Sequence, residues 1–158
     1  GVLEDLRPLF ESAPAVAAAW VFGSVSRGDA REDSDLDVAV LLRDRDASAV
    51  THRRELADLA ARLGREAGRP VDVVVLTLRD PILAHRVLSE GQLVHDADRE
   101  RRIDFTSDAL ARYFDWAPRY EAAARASLAA NRAWAGREGP DDGGDLAGKA
   151  AFVRAALE

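Results

Sequence analysis

The sequence predicts an α/β (α+β) fold, a small mixed β-sheet with helices packed on it. Three observations carry that expectation. Apolar runs of strand length alternate with stretches whose apolar residues recur at helical spacing. Their order is helix, strand, strand, helix, strand, helix, strand, helix, which suits one sheet covered by helices. The chain has 158 residues, 47% of them hydrophobic, enough for one core without metal or disulfide staples.

Val2 to Ser12 reads as an amphipathic helix with Leu3, Leu6 and Phe10 on one face, ended by Pro14. Ala15 to Phe22 (AVAAAWVF) is an apolar strand that stops at Gly23-Ser24. The polar stretch SVSRGDARED follows, and SDLDVAVLL then carries strand composition from Leu36 to Leu42. After the turn RDRDAS, with Asp46 or Ser48 as candidate cap, Leu56, Leu59, Ala60, Leu63 and Ala67 share one helical face. Gly68 ends that helix, and VDVVVLTL is a β-branched strand. Pro81, capped by Asp80, opens a helix to about Glu90, and QLVH makes a short strand. A longer helix is expected from Asp98 to about Ala117, with Ile103, Leu110, Tyr113 and Phe114 on one side.

The main domain is expected to span residues 1–118. An alanine-rich helix should follow over 119–136, a Gly/Asp-rich linker over 137–145 and a terminal helix over 146–158. That last helix has a thin apolar stripe, so it wants a partner: this domain, a second copy or another protein. The chain contains no methionine and opens at Gly1, so a processed or trimmed end is expected.

Composition removes several function classes. There is no cysteine, which excludes disulfides, thiolate zinc sites and cysteine nucleophiles and fits a cytoplasmic setting. No apolar run approaches the roughly 18 residues of a membrane span, and the acidic N-terminal stretch lacks a signal-peptide layout. The formal charge of −6, from 28 acidic and 22 basic residues, argues against general nucleic-acid binding. Lys149 is the only lysine, a bias that speaks of coding composition more than of function.

Three aspartates interrupt the strand-like sequence. Asp35 and Asp37 open one strand and, two residues apart, should project to one face. Asp72 lies within VDVVVL, where an unpaired carboxylate among valines would carry a desolvation cost. A shared site for a divalent cation, built of hard oxygen ligands, would satisfy all three and suits magnesium. The Gly23-Ser24 turn offers backbone N–H groups and a hydroxyl for phosphate oxygens, and Arg27 adds a charged fork. Phosphates beside carboxylate-held metals are the layout of a two-metal transfer site. Each piece alone has an ordinary reading, as a surface turn, a strand end or a surface arginine. The joint order favours function: Gly-Ser, ten intervening residues, Asp-x-Asp opening a strand, then a third aspartate on a later strand.

The pattern GSVSRGDAREDSDLD with VDVVVL resembles the nucleotidyltransferase superfamily typified by DNA polymerase β. Over residues 1 to 118 it is most similar to the minimal nucleotidyltransferase (MNT-type) antitoxins, partners of HEPN-type toxins. Shared features include the WVFGS lead-in, an R-G pair, S-D-x-D, V-D-V-V-x-L and a G-x-L-V/Y strand, for which Gly91 to His95 (GQLVH) stands. The resemblance implies that Gly23 and Ser24 hold the β- and γ-phosphates of ATP, with Arg27 assisting. It implies that Asp35 and Asp37 bind two Mg²⁺ ions, and that Asp72 completes the metal site and helps deprotonate the attacking hydroxyl. Val25 and Ser26 depart from the family's frequent arginine and alanine. The activity implied is transfer of AMP from ATP to a tyrosine of a HEPN-type toxin. A small-molecule acceptor, as in aminoglycoside nucleotidyltransferases, and an inactive module that neutralises a toxin by occlusion are the alternatives. The segment after Asp145 has some similarity to the opening helix of a HEPN toxin, though an ordinary C-terminal helix is the first reading.

The remaining chemical residues read as structural. His52, His85 and His95 share no metal-ligand spacing, and Arg99 to Arg102 reads first as a solvated helix face, with pairing to an acidic partner as the alternative. Trp20 belongs to the core, as by default do Trp116, Tyr120 and Trp134, although such aromatics also anchor interfaces.

Overall fold

A computed structural model describes residues 1–23, 28, 31 and 34–135, and at 120, 131, 134 and 135 the backbone alone. The elements are α1 (Val2–Phe10), β1 (Val16–Phe22), β2 (Leu36–Leu42), α2 (Arg53–Ala67), β3 (Val71–Val75), α3 (Pro81–Glu90), β4 (Gln92–Asp96) and α4 (Arg99–Ala135). The strands form one mixed sheet in the order β3-β2-β1-β4. β2 and β3 run parallel, joined through α2, and β1 is antiparallel to both β2 and β4. The expected α/β architecture is the observed one.

Strand alternation divides the core into two layers. Leu36, Val38, Val40 and Leu42 of β2 face α1 and α2, packing with Leu6, Phe10, Leu59 and Leu63. Ala39 and Leu41 face the other way, with Trp20, Phe22, Ala84, Val87, Phe105 and Ala109. Both β1 and β2 are covered on both faces, which is why they read as nearly continuous apolar runs. β3 is an edge strand and is only partly covered.

Local chemistry fixes most element ends as expected. Asp80 caps α3, its Oδ1 accepting the Leu83 N–H at 3.0 Å, with Pro81 behind it. Gly68 ends α2 in the left-handed conformation, φ 66°. The start of α2 differs from expectation: neither Asp46 nor Ser48 caps it. The Asp46 N–H is taken by Asp44 Oδ1 at 2.9 Å, and the Ser48 and Thr51 hydroxyls share a 3.3 Å hydrogen bond. Both side-chain turns compete with capping, and the helix starts at Arg53.

The last helix differs more. α4 runs unbroken through Pro118 instead of dividing there. Its buried side carries Phe105 and Ala109, whereas Ile103 and Phe114 are exposed. Alanines at 17, 18 and 39 make that face of the sheet low, so a small residue and one phenyl ring let the helix approach closely. Arg101 and Arg102 are not the solvated face expected. Arg102 forks onto Asp96 at 3.0 and 2.9 Å, and Arg101 Nε donates to Leu42 O at 3.1 Å. They tie the start of α4 to the ends of β4 and β2.

Two compact units result, Gly1–Tyr113 and Phe114–Glu158. In the second, described to residue 135, Arg119 lies over the Trp116 ring at 5.0 Å, and Trp116 is exposed rather than core. The side chains of Tyr120 and Trp134, the linker expected over 137–145 and the helix expected over 146–158 lie outside the described residues. Among the described residues no helix is long and apolar enough to cross a membrane.

Candidate functional site

Two of the three aspartates meet through strand register. Asp37 of β2 pairs with Asp72 of β3, and parallel partners present their side chains on the same face. That face is the α3 side, since their neighbours Leu36, Val38, Val71 and Val73 all pack toward α1 and α2. On its other flank Asp37 pairs with Phe22, the last residue of β1. One row therefore runs across three strands at one end of the sheet: Asp72, Asp37, Phe22.

Asp35 stands just outside the strand, exposed to solvent. Its segment is pinned from both sides. The Leu36 N–H donates to Pro70 O at 2.9 Å, Arg69 Nη1 reaches Ser34 O at 3.4 Å, and the Arg31 N–H donates to Ser34 Oγ at 3.0 Å. The chain entering β3 thus holds the chain entering β2, and so holds Asp35 beside the row.

Gly23 leaves the row at the end of β1 with φ 77°, a conformation open to glycine at little cost. Its missing side chain matters a second time. A Cβ there would run into Asp37 Oδ2 and stand 3.4 Å from Asp37 Cγ. The turn thus passes against the Asp37 carboxylate because residue 23 is glycine. Ser24 and Arg27, the other expected phosphate-binding residues, lie outside the described residues.

The aspartates act on one another electrically. Burial, then the charge of Asp72, and more weakly that of Asp35, push the Asp37 carboxyl above the ordinary carboxylate range, while Arg86 pulls it down. Asp72 departs from expectation in one respect: it is exposed on the edge strand, so desolvation among valines is not what it suffers. Like-charge proximity to Asp37 is.

Arg86 was not foreseen. It lies on α3 with its guanidinium carbon 5.8 Å from the centre of the Phe22 ring, beside the row. No sequence spacing links residue 86 to residue 37; only the placement of α3 over β1 brings them together. The histidines are structural, as expected. His52 pairs with Glu55 at 3.4 Å, His85 stacks on Tyr113 at 3.6 Å and His95 stacks on Phe10 at 5.4 Å. Trp20 is core, 5% exposed.

As a donor set, three carboxylates with mutual repulsion and hard oxygens suit a divalent cation such as magnesium. Among the described residues no group of three or more His, Asp or Glu side chains is drawn together to hold an ion as it stands. The fit therefore rests on the register-paired Asp37 and Asp72, with Asp35 close enough to act on Asp37 by charge.

The family model for the polymerase beta nucleotidyltransferase domain matches residues 4–100. The chain belongs to that family. The matched segment contains every strand of the sheet and all three aspartates, so this nucleotidyltransferase carries its carboxylates within the family's own region. Solved structures agree on the fold. A toxin–antitoxin structure with AMP-PNP aligns at TM-score 0.59 and 23% identity, covering 76% of this chain and 93% of that one. A structure of a tri-AMPylated Shewanella oneidensis HEPN toxin in complex with MNT antitoxin aligns at TM-score 0.54 and 21% identity, covering 77% of this chain and 91% of that one. Curated protein sequences give no significant match.

Proposed function

We propose that this nucleotidyltransferase is an antitoxin of the MNT type, which transfers AMP from ATP to a tyrosine hydroxyl of a HEPN-type toxin. The observation that carries the reading is the pairing of Asp37 with Asp72 beside the Gly23 turn. The likeness in fold to toxin–antitoxin structures, one with AMP-PNP and one with an AMPylated toxin, supports the choice of nucleotide and partner.

In this reading Asp35, Asp37 and Asp72 hold two Mg²⁺ ions. Bound there, the ions supply positive charge to the reacting phosphate and the leaving pyrophosphate. Gly23 lets the backbone approach the phosphate tail, with Ser24 and Arg27 taking its β- and γ-oxygens. Asp72, open to solvent on the edge strand, accepts the proton of the incoming hydroxyl. The hydroxyl oxygen bonds to the α-phosphorus, the bond to the bridging oxygen breaks, and pyrophosphate leaves. Val25 and Ser26 place no extra cation on the turn, so charge for the tail comes from Arg27 and from outside the loop.

The test is intact-mass analysis of the cognate toxin after incubation with this chain, ATP and Mg²⁺. The expected result is a toxin heavier by one or more AMP groups, absent with the Asp37→Asn variant. An unmodified toxin with the wild-type chain overturns the reading.

A further inference from the structure

We propose that Arg86 binds the phosphate tail of the nucleotide, closing the site on the α3 side. This rests on the nucleotidyltransferase reading above and adds a residue to it. The row Asp72–Asp37–Phe22 is polarised. Its β3 end is acidic, and its β1 end has an aromatic ring with a guanidinium above it. Metal-bound oxygens belong at the acidic end. The chain leaves β1 at Gly23, next to Phe22, so a phosphate tail that Gly23 lets approach lies at the end where Arg86 is.

Arg86 is held there without being committed. α3 is fixed to β1 by its buried Ala84 and Val87, and by Gly91, where a Cβ would collide with the Val87 carbonyl and stand 3.4 Å from Trp20 Cβ. The stem of Arg86 is thereby aimed across Phe22. Its pairing with Glu90 is an exposed i,i+4 contact, Nε to Oε2 3.7 Å, with the two side chains 52% and 47% exposed. Such an exposed pair is weak in water, so an arriving phosphate competes for the guanidinium easily. Arginine suits the task because its planar fork can take two oxygens of one phosphate.

The inference concerns the tail rather than the α-phosphate, which separates it from general charge attraction. It is tested by calorimetric titration of the full chain with AMP-PNP and, separately, with AMP, both with Mg²⁺. For Arg86→Ala we expect AMP-PNP affinity to fall by about tenfold or more and AMP affinity by less than about threefold, with Arg86→Lys between the two. An unchanged melting temperature for Arg86→Ala will show that the fold is kept. Arg86→Ala binding AMP-PNP as tightly as wild type, or losing AMP and AMP-PNP equally, overturns the inference while leaving the enzymatic reading intact. If the wild-type chain itself binds no AMP-PNP, both fall.

Discussion

Asp37 and Asp72 are register partners across the parallel strands β2 and β3, so two carboxylates stand on neighbouring chains and one face. Adjacent strands lie about 4.8 Å apart, close enough for each charge to disfavour the other. A sequence under selection for stability alone has little reason to place this pair at the end of an otherwise apolar row, and each prediction about the site follows from the strain between them.

Asp37→Asn is expected to stabilise the protein at neutral pH while abolishing transfer. The Asp37 carboxyl is raised by burial and by Asp72, so its charged form is the disfavoured one in the fold. Its contribution to stability is full below the unfolded value of 3.8 and is lost as pH rises through the higher folded value. At pH 7 removing the charge should therefore raise the melting temperature, and at pH 3 it should change nothing. Asp37 is only partly buried, so the gain is below about 1 kcal/mol, or roughly 2–4 °C. Thermal melts of both proteins across this pH range check it. Added Mg²⁺ should raise the wild-type midpoint and leave the variant's unchanged.

Gly23→Ala and Gly28→Ala should separate backbone strain from collision. Both glycines have φ 77°, so each alanine meets the same left-handed penalty of about 1 kcal/mol. At Gly28 a Cβ meets nothing within 4 Å, whereas at Gly23 it meets the Asp37 carboxylate. Gly23→Ala should therefore lose a further 1 kcal/mol or so and lose activity, because Asp37 must turn away. Denaturant titrations give the two stabilities. Equal losses at the two sites would refute the collision.

Residues that declare themselves by local pattern were legible before any coordinates: Asp35 and Asp37 at the mouth of β2, the Asp80 cap, the Gly68 stop. What was not legible depends on sheet order. Asp72 reads as buried because VDVVVL looks like a central strand, yet β3 lies at the edge. Arg86 reads as an ordinary helix residue until α3 is laid over β1. The buried side of α4 is not the one its large apolar residues mark, because Ala109 meets a face made low by Ala17, Ala18 and Ala39. Pro118 suggests a break, since an interior proline costs a helix about 3 kcal/mol, yet α4 continues through it.

The Arg102 fork on Asp96 should be the most valuable ion pair among the described residues of the main unit. Both side chains are largely covered, 23% and 27% exposed, and the two bonds are 3.0 and 2.9 Å. Arg102→Ala is expected to cost about 1–2 kcal/mol, against a few tenths for Arg125→Ala, whose pair with Glu121 is 3.9 Å and exposed. A double-mutant cycle with Asp96→Asn should return a coupling of about 1 kcal/mol that survives 0.5 M salt. A coupling that vanishes in salt would return Arg102 to the solvated helix face its sequence suggested.

His95 should make the protein less stable on mild acidification. Burial against Phe10 lowers its pKa, opposed by the Val16 backbone, and Arg43 adds to the lowering while Glu11 and Asp96 oppose it. The unfolded chain then binds a proton near 6.5 that the folded chain takes up only at lower pH. Stability is therefore lost as pH falls below 6.5 and levels off beneath the folded value, the reverse of the Asp37 effect. The ring is only partly buried, so the loss is about a few tenths of a kcal/mol. Urea titrations at pH 7.5 and 5.5 should show it in the wild type, with a smaller difference in His95→Gln. The residue is far from the aspartate row, so His95→Gln should also leave nucleotide binding as it was; a change in binding would mean that β4 and the site are coupled through β1, the strand between them.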